Sequence, residues 1–338
     1  MSVLYATHPR FADHDTGYGH PERPSRLVAV EKGIVAAGLA DALIRVEPVP
    51  ASDEDLERVH PAVYREALAN FAESGGGYLD GDTHLGRSSW EAATLAAGAG
   101  IETIRRLDAG DAGIGFCAVR PPGHHALSSR AMGFCLLNNV AVSAAHLAAR
   151  GERVVVVDYD VHHGNGTQDI FWADPNVFYV SMHEWPLYPG TGSLTDLGAG
   201  DGRFTTMNFP FPAGTTGDVY RRAIDEVLIP VVSAWNPTWL LLSAGFDGHR
   251  LDPLAGIDLT SGDFADITRA LVELVPPGRR LAFLEGGYDL DGLSQSVGAV
   301  LSAVVDDGAY RPEPATSGGA GSTVCDAVLK NWARSADG

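Results

Sequence analysis

The sequence predicts an α/β domain in which a parallel sheet is covered by helices on both faces. Three observations carry that prediction. Short apolar runs rich in valine and leucine alternate along the chain with longer, alanine-rich helical stretches. The apolar runs are continuous rather than alternating, as strands buried on both faces require. Strand–helix alternation of this kind builds a parallel sheet between two helical layers.

The clearest strands are 154–157, 177–180, 239–242 and 281–284. Helical patterns occupy 138–150, which is dense in alanine, and 219–232, where apolar residues recur at three and four. No internal repeat and no shift in composition marks a boundary, so residues 1–310 read as one domain. Residues 311–322, Arg-Pro-Glu-Pro-Ala-Thr-Ser-Gly-Gly-Ala-Gly-Ser, have the composition of a flexible linker. Residues 323–338 form a C-terminal tail, in which 324–334 could be a helix docked on the body.

Composition narrows the function. Of 338 residues, 45% are hydrophobic and 20% charged, enough apolar material for a large core. That excludes a disordered chain and a disulfide-stapled miniprotein. The 43 acidic residues outnumber the 24 basic ones, for a net charge of −19. A nucleic-acid partner is therefore not expected, because phosphate backbones need clustered Lys and Arg. Cys117, Cys135 and Cys325 form no C-x-x-C pair and suit a reducing compartment. The first residues lack the basic start and apolar run of a signal peptide. No stretch approaches the roughly 18 apolar residues of a membrane span. The expected location is the cytoplasm, with no membrane partner; a homo-oligomer is left open.

Three strands run into polar, glycine-rich clusters. The strand at 154–157 leads into Asp158-Tyr-Asp160-Val-His162-His163-Gly-Asn165, that at 239–242 into Ser243-Ala-Gly-Phe-Asp247, and that at 281–284 into Glu285-Gly-Gly-Tyr288. Sites in open α/β sheets form at the carboxyl ends of strands, so these clusters should converge. Asp160, His162 and Asp247 together offer one imidazole nitrogen and carboxylate oxygens. Three protein ligands with an open fourth position are the pattern of a catalytic zinc site. A loop stiffened by prolines, Arg120-Pro-Pro-Gly-His124-His125, supplies two adjacent histidines. An imidazole there is a natural general base, with Asp158 and Asn165 as partners that fix its orientation. Two anionic ligands weaken a metal as a Lewis acid, so a hydroxyl such as that of Tyr288, on a Gly286-Gly287 hinge, would help stabilise an oxyanion. These parts suit the hydrolysis of an amide or ester. The remaining histidines, His8, His14, His20, His60, His84, His146 and His249, are expected at the surface, in turns or at the mouth. His163 and His183 are expected to be structural.

These residues resemble the zinc-dependent histone deacetylases, in particular the class II branch and its bacterial relatives, with the acetylpolyamine amidohydrolases close by. The motifs that carry the resemblance are His20-Pro-Glu-Arg-Pro, Arg120-Pro-Pro-Gly-His124-His125, Met132-Gly-Phe-Cys-Leu-Leu-Asn-Asn139, Val157 to Gln168, Ser243 to Asp247, and Glu285-Gly-Gly-Tyr288. The resemblance implies a single-domain arginase/deacetylase fold with a parallel sheet of about eight strands. It implies Asp160, His162 and Asp247 as ligands of Zn²⁺, with Fe²⁺ as the alternative. It implies His125 as general base and acid, His124 paired with Asp158 as its electrostatic neighbour, and Tyr288 as oxyanion donor. Asn165 stands where class I members carry aspartate. Asp158, Asp160, His162, Ser181 and Met182 match the family's structural K⁺ site, partly through backbone carbonyls. Gly133, Phe134 and Tyr188 resemble the walls of the acyl-lysine tunnel, and Asp82 its rim acid.

The expected reaction is metal-dependent removal of acetate from N6-acetyllysine in peptides or proteins. Acetylated polyamines are the alternative substrate. Polyamine-selective relatives carry a glutamate gatekeeper where this chain has Leu254, and Arg250 and His249, if they faced the mouth, would repel a cationic tail further. A second alternative is a non-catalytic protein that binds acetylated ligands; such a protein would be expected to have lost Tyr288 or a metal ligand.

Overall fold

The computed structural model describes residues 1–336. Its strands are β1 (Val3–Ala6), β2 (Leu43–Val46), β3 (Gly77–Tyr78), β4 (His84–Leu85), β5 (Ile114–Cys117), β6 (Val154–Asp158), β7 (Val177–Glu184), β8 (Thr206–Phe211), β9 (Trp239–Ala244) and β10 (Arg280–Leu284). Eight of them form one sheet in the order β2-β1-β5-β10-β9-β6-β7-β8, every pairing parallel. The other two, β3 and β4, make a small antiparallel hairpin.

Continuous apolar strands are explained by what lies on each side of them. Val155, Val157, Leu240 and Leu242 point into one core, and Val154, Val156, Trp239 and Leu241 into the other. Helices Ser25–Ala36, Ser261–Val272 and Leu290–Val305 cover the first face, together with the helical run from Gly217 to Trp235. Helices Ala62–Glu73, Ser89–Asp108 and Asn139–Ala149 cover the second. β7 continues four residues past the apolar run that signals it in sequence. The reason is local pairing: Ser181 Oγ and His183 Nδ1 lie 2.9 Å apart, so these buried polar groups satisfy each other inside the strand.

The stretch 311–322 carries no helix or strand over most of its length, yet it is not loose as its composition suggests. Thr316 Oγ1 donates to Asp263 Oδ2 at 2.7 Å, the Gly217 amide donates to Thr316 Oγ1 at 2.8 Å, and the Gly319 amide donates to Thr216 Oγ1 at 2.8 Å. Helix Ser322–Ala336 then docks on the body, with Cys325 and Val328 buried and Trp332 stacked 5.9 Å from Phe178. Residues 337–338 of the expected tail lie outside the described residues. No helix among the described residues is long and apolar enough to cross a membrane.

Candidate active site

The carboxyl ends of β5, β10, β9 and β6 are neighbours in the sheet, so the segments that follow them meet over its centre. After β6 the backbone is pinned by side chains two residues back: the Asp160 amide donates to Asp158 Oδ1 at 3.1 Å, and the His162 amide to Asp160 Oδ1 at 2.9 Å. Short acidic side chains favour such turns, and here they bring the Asp160 carboxylate beside the His162 ring. His162 Nδ1 lies 3.3 Å from Asp160 Oδ1 and 3.1 Å from Asp247 Oδ2. One ligand atom from each of the three lies within 4.8 Å of the others, and Asp160 and Asp247 are fully buried. Gly286 makes this closeness possible, because a Cβ there would sit 2.0 Å from Asp247 Oδ2. Its amide donates instead to Asp160 Oδ2 at 2.7 Å.

Charge supports a cation at this point. Burial alone would lower His162, but its hydrogen bonds to Asp160 and Asp247 outweigh that and push it up to about 10. Two buried carboxylates thus gather positive charge at one nitrogen, where a divalent metal could replace the proton. One imidazole and two carboxylates form a donor set of the catalytic-zinc type, so the residues fit a metal ion.

The histidine pair stands beside this cluster, with ring centroids 4.0 Å apart. His124 Nδ1 lies 3.0 Å from Asp158 Oδ2, and His125 Nδ1 lies 2.8 Å from Asn165 Oδ1. The surroundings separate the two rings chemically. Burial lowers both, but the Asp160 and Asp158 carboxylates outweigh it at His124 and push that ring up to about 10. His125 has no such compensation; burial and the charges on His124 and His162 drive it well below its ordinary value, so it is neutral.

Tyr288 follows the two glycines after β10. Its ring meets Phe134 edge-to-face at 5.9 Å, and burial followed by the nearby Asp247 charge raises its phenol well above the ordinary value. The pair Gly286-Gly287, expected as a hinge, is held rather than free. The Arg26 guanidinium donates to the carbonyls of Glu285 and Gly287, the latter at 2.7 Å, and lies 5.1 Å from the Tyr288 ring centroid.

A cavity of about 270 Å³ opens onto these groups, lined by Asp82, His125, Gly133, Phe134, His162, Leu187, Tyr188, Leu254 and Tyr288. The β3–β4 hairpin brings Asp82 to this cavity, with its carbonyl 3.1 Å from His20 Nε2. Gly133 adopts φ +54, and a Cβ there would press on the His125 ring at 2.4 Å. A larger hollow of about 580 Å³ lies at the sheet edge among Thr7, His8, Arg45 and Glu47, away from the strand-end clusters.

Asp160, His162, Asp247, His124, His125, Asp158 and Asn165 gather around the cluster, and Gly133, Phe134, Tyr188, Leu254, Asp82 and Tyr288 line the cavity. Ser181 is paired with Asp158 across β6 and β7, with Met182 the next residue. His14, His60 and His249 lie in loops or turns but are buried rather than superficial. His249 and Arg250 do not face the mouth as free cations; both engage Glu313, at 2.8 and 2.6 Å, because the tail folds over their loop. Sequence reasoning gave no role to Leu187 or Asp252, nor to the buried network of Glu22, Arg26 and Arg120. The motif His20-Pro-Glu22-Arg-Pro is the signal that could have found the network.

Residues 20–304 match the family model described as the histone deacetylase domain. The chain is 36% identical over 321 residues to a probable deacetylase of Archaeoglobus fulgidus, covering 90% of this chain and 89% of that protein. It is 38% identical over 276 residues to a histone deacetylase-like amidohydrolase of Pseudomonas aeruginosa, covering 80% and 73%. Its fold matches the crystal structure of the HDA15 HD domain with a TM-score of 0.90 and 34% identity, over 98% of this chain and 95% of that one. The parallel eight-stranded sheet with its helices is therefore the arginase/deacetylase fold.

Proposed function

The chain belongs to the histone deacetylase family, and on that footing we propose that it is a zinc-dependent deacetylase of N6-acetyllysine in peptides or proteins. The observation that carries this reading is the cavity of about 270 Å³, whose walls include Phe134, Tyr188 and Leu254 and whose lining includes His162, His125 and Tyr288. A passage walled by aromatic and aliphatic side chains suits the aliphatic stem of a lysine and limits bulk water.

Asp160, His162 and Asp247 hold the metal in this account, with Fe²⁺ as the alternative to Zn²⁺. Zinc bound there supplies Lewis acidity, which polarises an acetyl carbonyl and makes water easier to deprotonate. Neutral His125 takes the proton of the attacking water at Nε2, since Nδ1 is engaged with Asn165. It then delivers that proton to the departing amine. His124, charged and paired with Asp158, stabilises negative charge beside it. The Tyr288 hydroxyl donates to the oxyanion that develops on the carbonyl. Asp82, on the cavity lining, would accept from the substrate backbone. Asp158, Asp160, His162, Ser181 and Met182 are assigned a structural K⁺; carboxylate, hydroxyl and carbonyl oxygens on neighbouring strand ends are the donors such an ion prefers.

Leu254 on the cavity wall favours a peptide over a polyamine, because no acid stands there to meet a distant ammonium. Asp82 and the net charge of −19 favour the polyamine, which is kept as the second reading. A purely binding role is disfavoured by the presence of Tyr288 and the whole ligand set. A reducing, cytoplasmic setting is supported by three unbonded, buried cysteines. The test is acetate release from an acetyllysine peptide. The metal-loaded protein should turn over, chelated protein should not, and zinc should restore it; turnover unaffected by chelation rejects the metal-dependent reading.

A further inference from the structure

We infer that Asp252 is the positioning residue for Tyr288, one buried carboxylate tying the cavity wall to the hydroxyl donor. This rests on the reading of Tyr288 given above. Asp252 is 6% exposed and comes after Asp247 in the loop that follows β9. Its Oδ2 accepts from the backbone amides of Tyr288, at 2.6 Å, and Asp289, at 3.1 Å. Its Oδ1 accepts from the amide of Leu254 at 3.0 Å. Charged acceptors make the stronger hydrogen bonds of a protein.

The turn needs such a holder. Tyr288 follows two glycines, and Gly287 adopts φ +117, a region open to glycine and unfavourable to other residues. Those glycines offer no side chain to pack, so beside its ring contacts with Phe134 and Arg26 the Tyr288 side chain depends on what grips the backbone around it. Arg26 grips the carbonyls before Tyr288, and Asp252 grips the amides at and after it. Asp252 also reaches the cavity wall through Leu254, which lines the same cavity. A misplacement of about 1 Å in a catalytic group can lower the rate about 10²-fold. Losing Asp252 should therefore act on turnover, through Tyr288, more than on substrate binding.

A double-mutant cycle separates this from a merely structural role. kcat and KM for an acetyllysine peptide are measured for wild type, Asp252→Ala, Tyr288→Phe and the double variant, with zinc content and thermal unfolding recorded for each. Asp252→Ala should lower kcat by about 10² with KM changed less than threefold. In the Tyr288→Phe background the same change should cost less than threefold. Asp252→Asn, which keeps one acceptor oxygen, should recover part of the loss. If Asp252→Ala does not fold, the cycle is run with Asp252→Asn, expected to lose about tenfold only when Tyr288 is present. Equal losses in both backgrounds, or no loss in either, overturn the inference. A fully active Tyr288→Phe variant would instead overturn the role of Tyr288 itself.

Discussion

His125 Nδ1 lies 2.8 Å from the side-chain Oδ1 of Asn165, so a neutral amide orients the second histidine of the pair. His124, 4.0 Å away ring to ring, faces the carboxylate of Asp158 instead. The Asp160 and Asp158 carboxylates outweigh burial and keep His124 charged, whereas burial and the charges on His124 and His162 keep His125 neutral.

His125→Ala should lower kcat by about 10²–10⁴, the usual worth of a positioned acid–base group. Asn165→Asp should lose less and should shift the acidic limb of the pH–rate profile upward, because the added negative charge favours imidazolium. Steady-state kinetics between pH 5 and 9 checks both; equal, mild losses with an unmoved profile contradict the assignment.

Asp247→Ala should lose bound metal and activity together while the fold is kept, since a single carboxylate would then remain beside His162. Metal analysis after dialysis, paired with circular dichroism, reads this out. Stoichiometric zinc in an active variant would remove Asp247 from the ligand set.

Tyr288→Phe should cost about 10²–10³ in kcat with metal content unchanged, the usual effect of deleting one oxyanion donor. A rate within a few-fold of wild type would leave the phenol without a role in turnover.

What could be read from sequence followed from how local each signal was. Asp160 and His162 are two residues apart just past a continuous valine strand, and Asp247 lies three residues past a second continuous apolar strand, so strand-end chemistry made them visible. Asp252 was invisible because its partners are backbone amides, among them that of Tyr288, 36 residues away. Such bonds leave no side-chain signature. The pairing of His249 and Arg250 with Glu313 depends on how the tail docks, which composition at 311–322 concealed. Glu22 and Arg120 are 98 residues apart, and only the motifs around them hinted at use.

That Glu22–Arg120 pair sets a pH dependence of stability. Burial raises the Glu22 carboxyl, but the Arg120 charge and hydrogen bonds outweigh it and bring it from 4.5 down to about 2. A carboxyl depressed on folding adds stability that is fully present above pH 4.5 and is lost as the pH falls through about 2. Glu22→Gln leaves Arg120 and Arg26 buried without their counter-charge and should cost about 3–5 kcal/mol at neutral pH. The gap between wild type and variant, followed by denaturant unfolding, should narrow between pH 4.5 and 2; a constant gap contradicts this account.

Substrate choice draws on the cavity wall and the ligand cluster together. Long-range attraction is screened beyond about 8–10 Å at physiological salt, so the local contact at Leu254 should outweigh the net charge of the chain. The deciding measurement is kcat/KM of the zinc-loaded protein for an acetyllysine peptide, set against those for acetylspermidine and acetylputrescine. The peptide should give the highest value. A polyamine value tenfold or more above that of the best peptide would contradict the peptide reading.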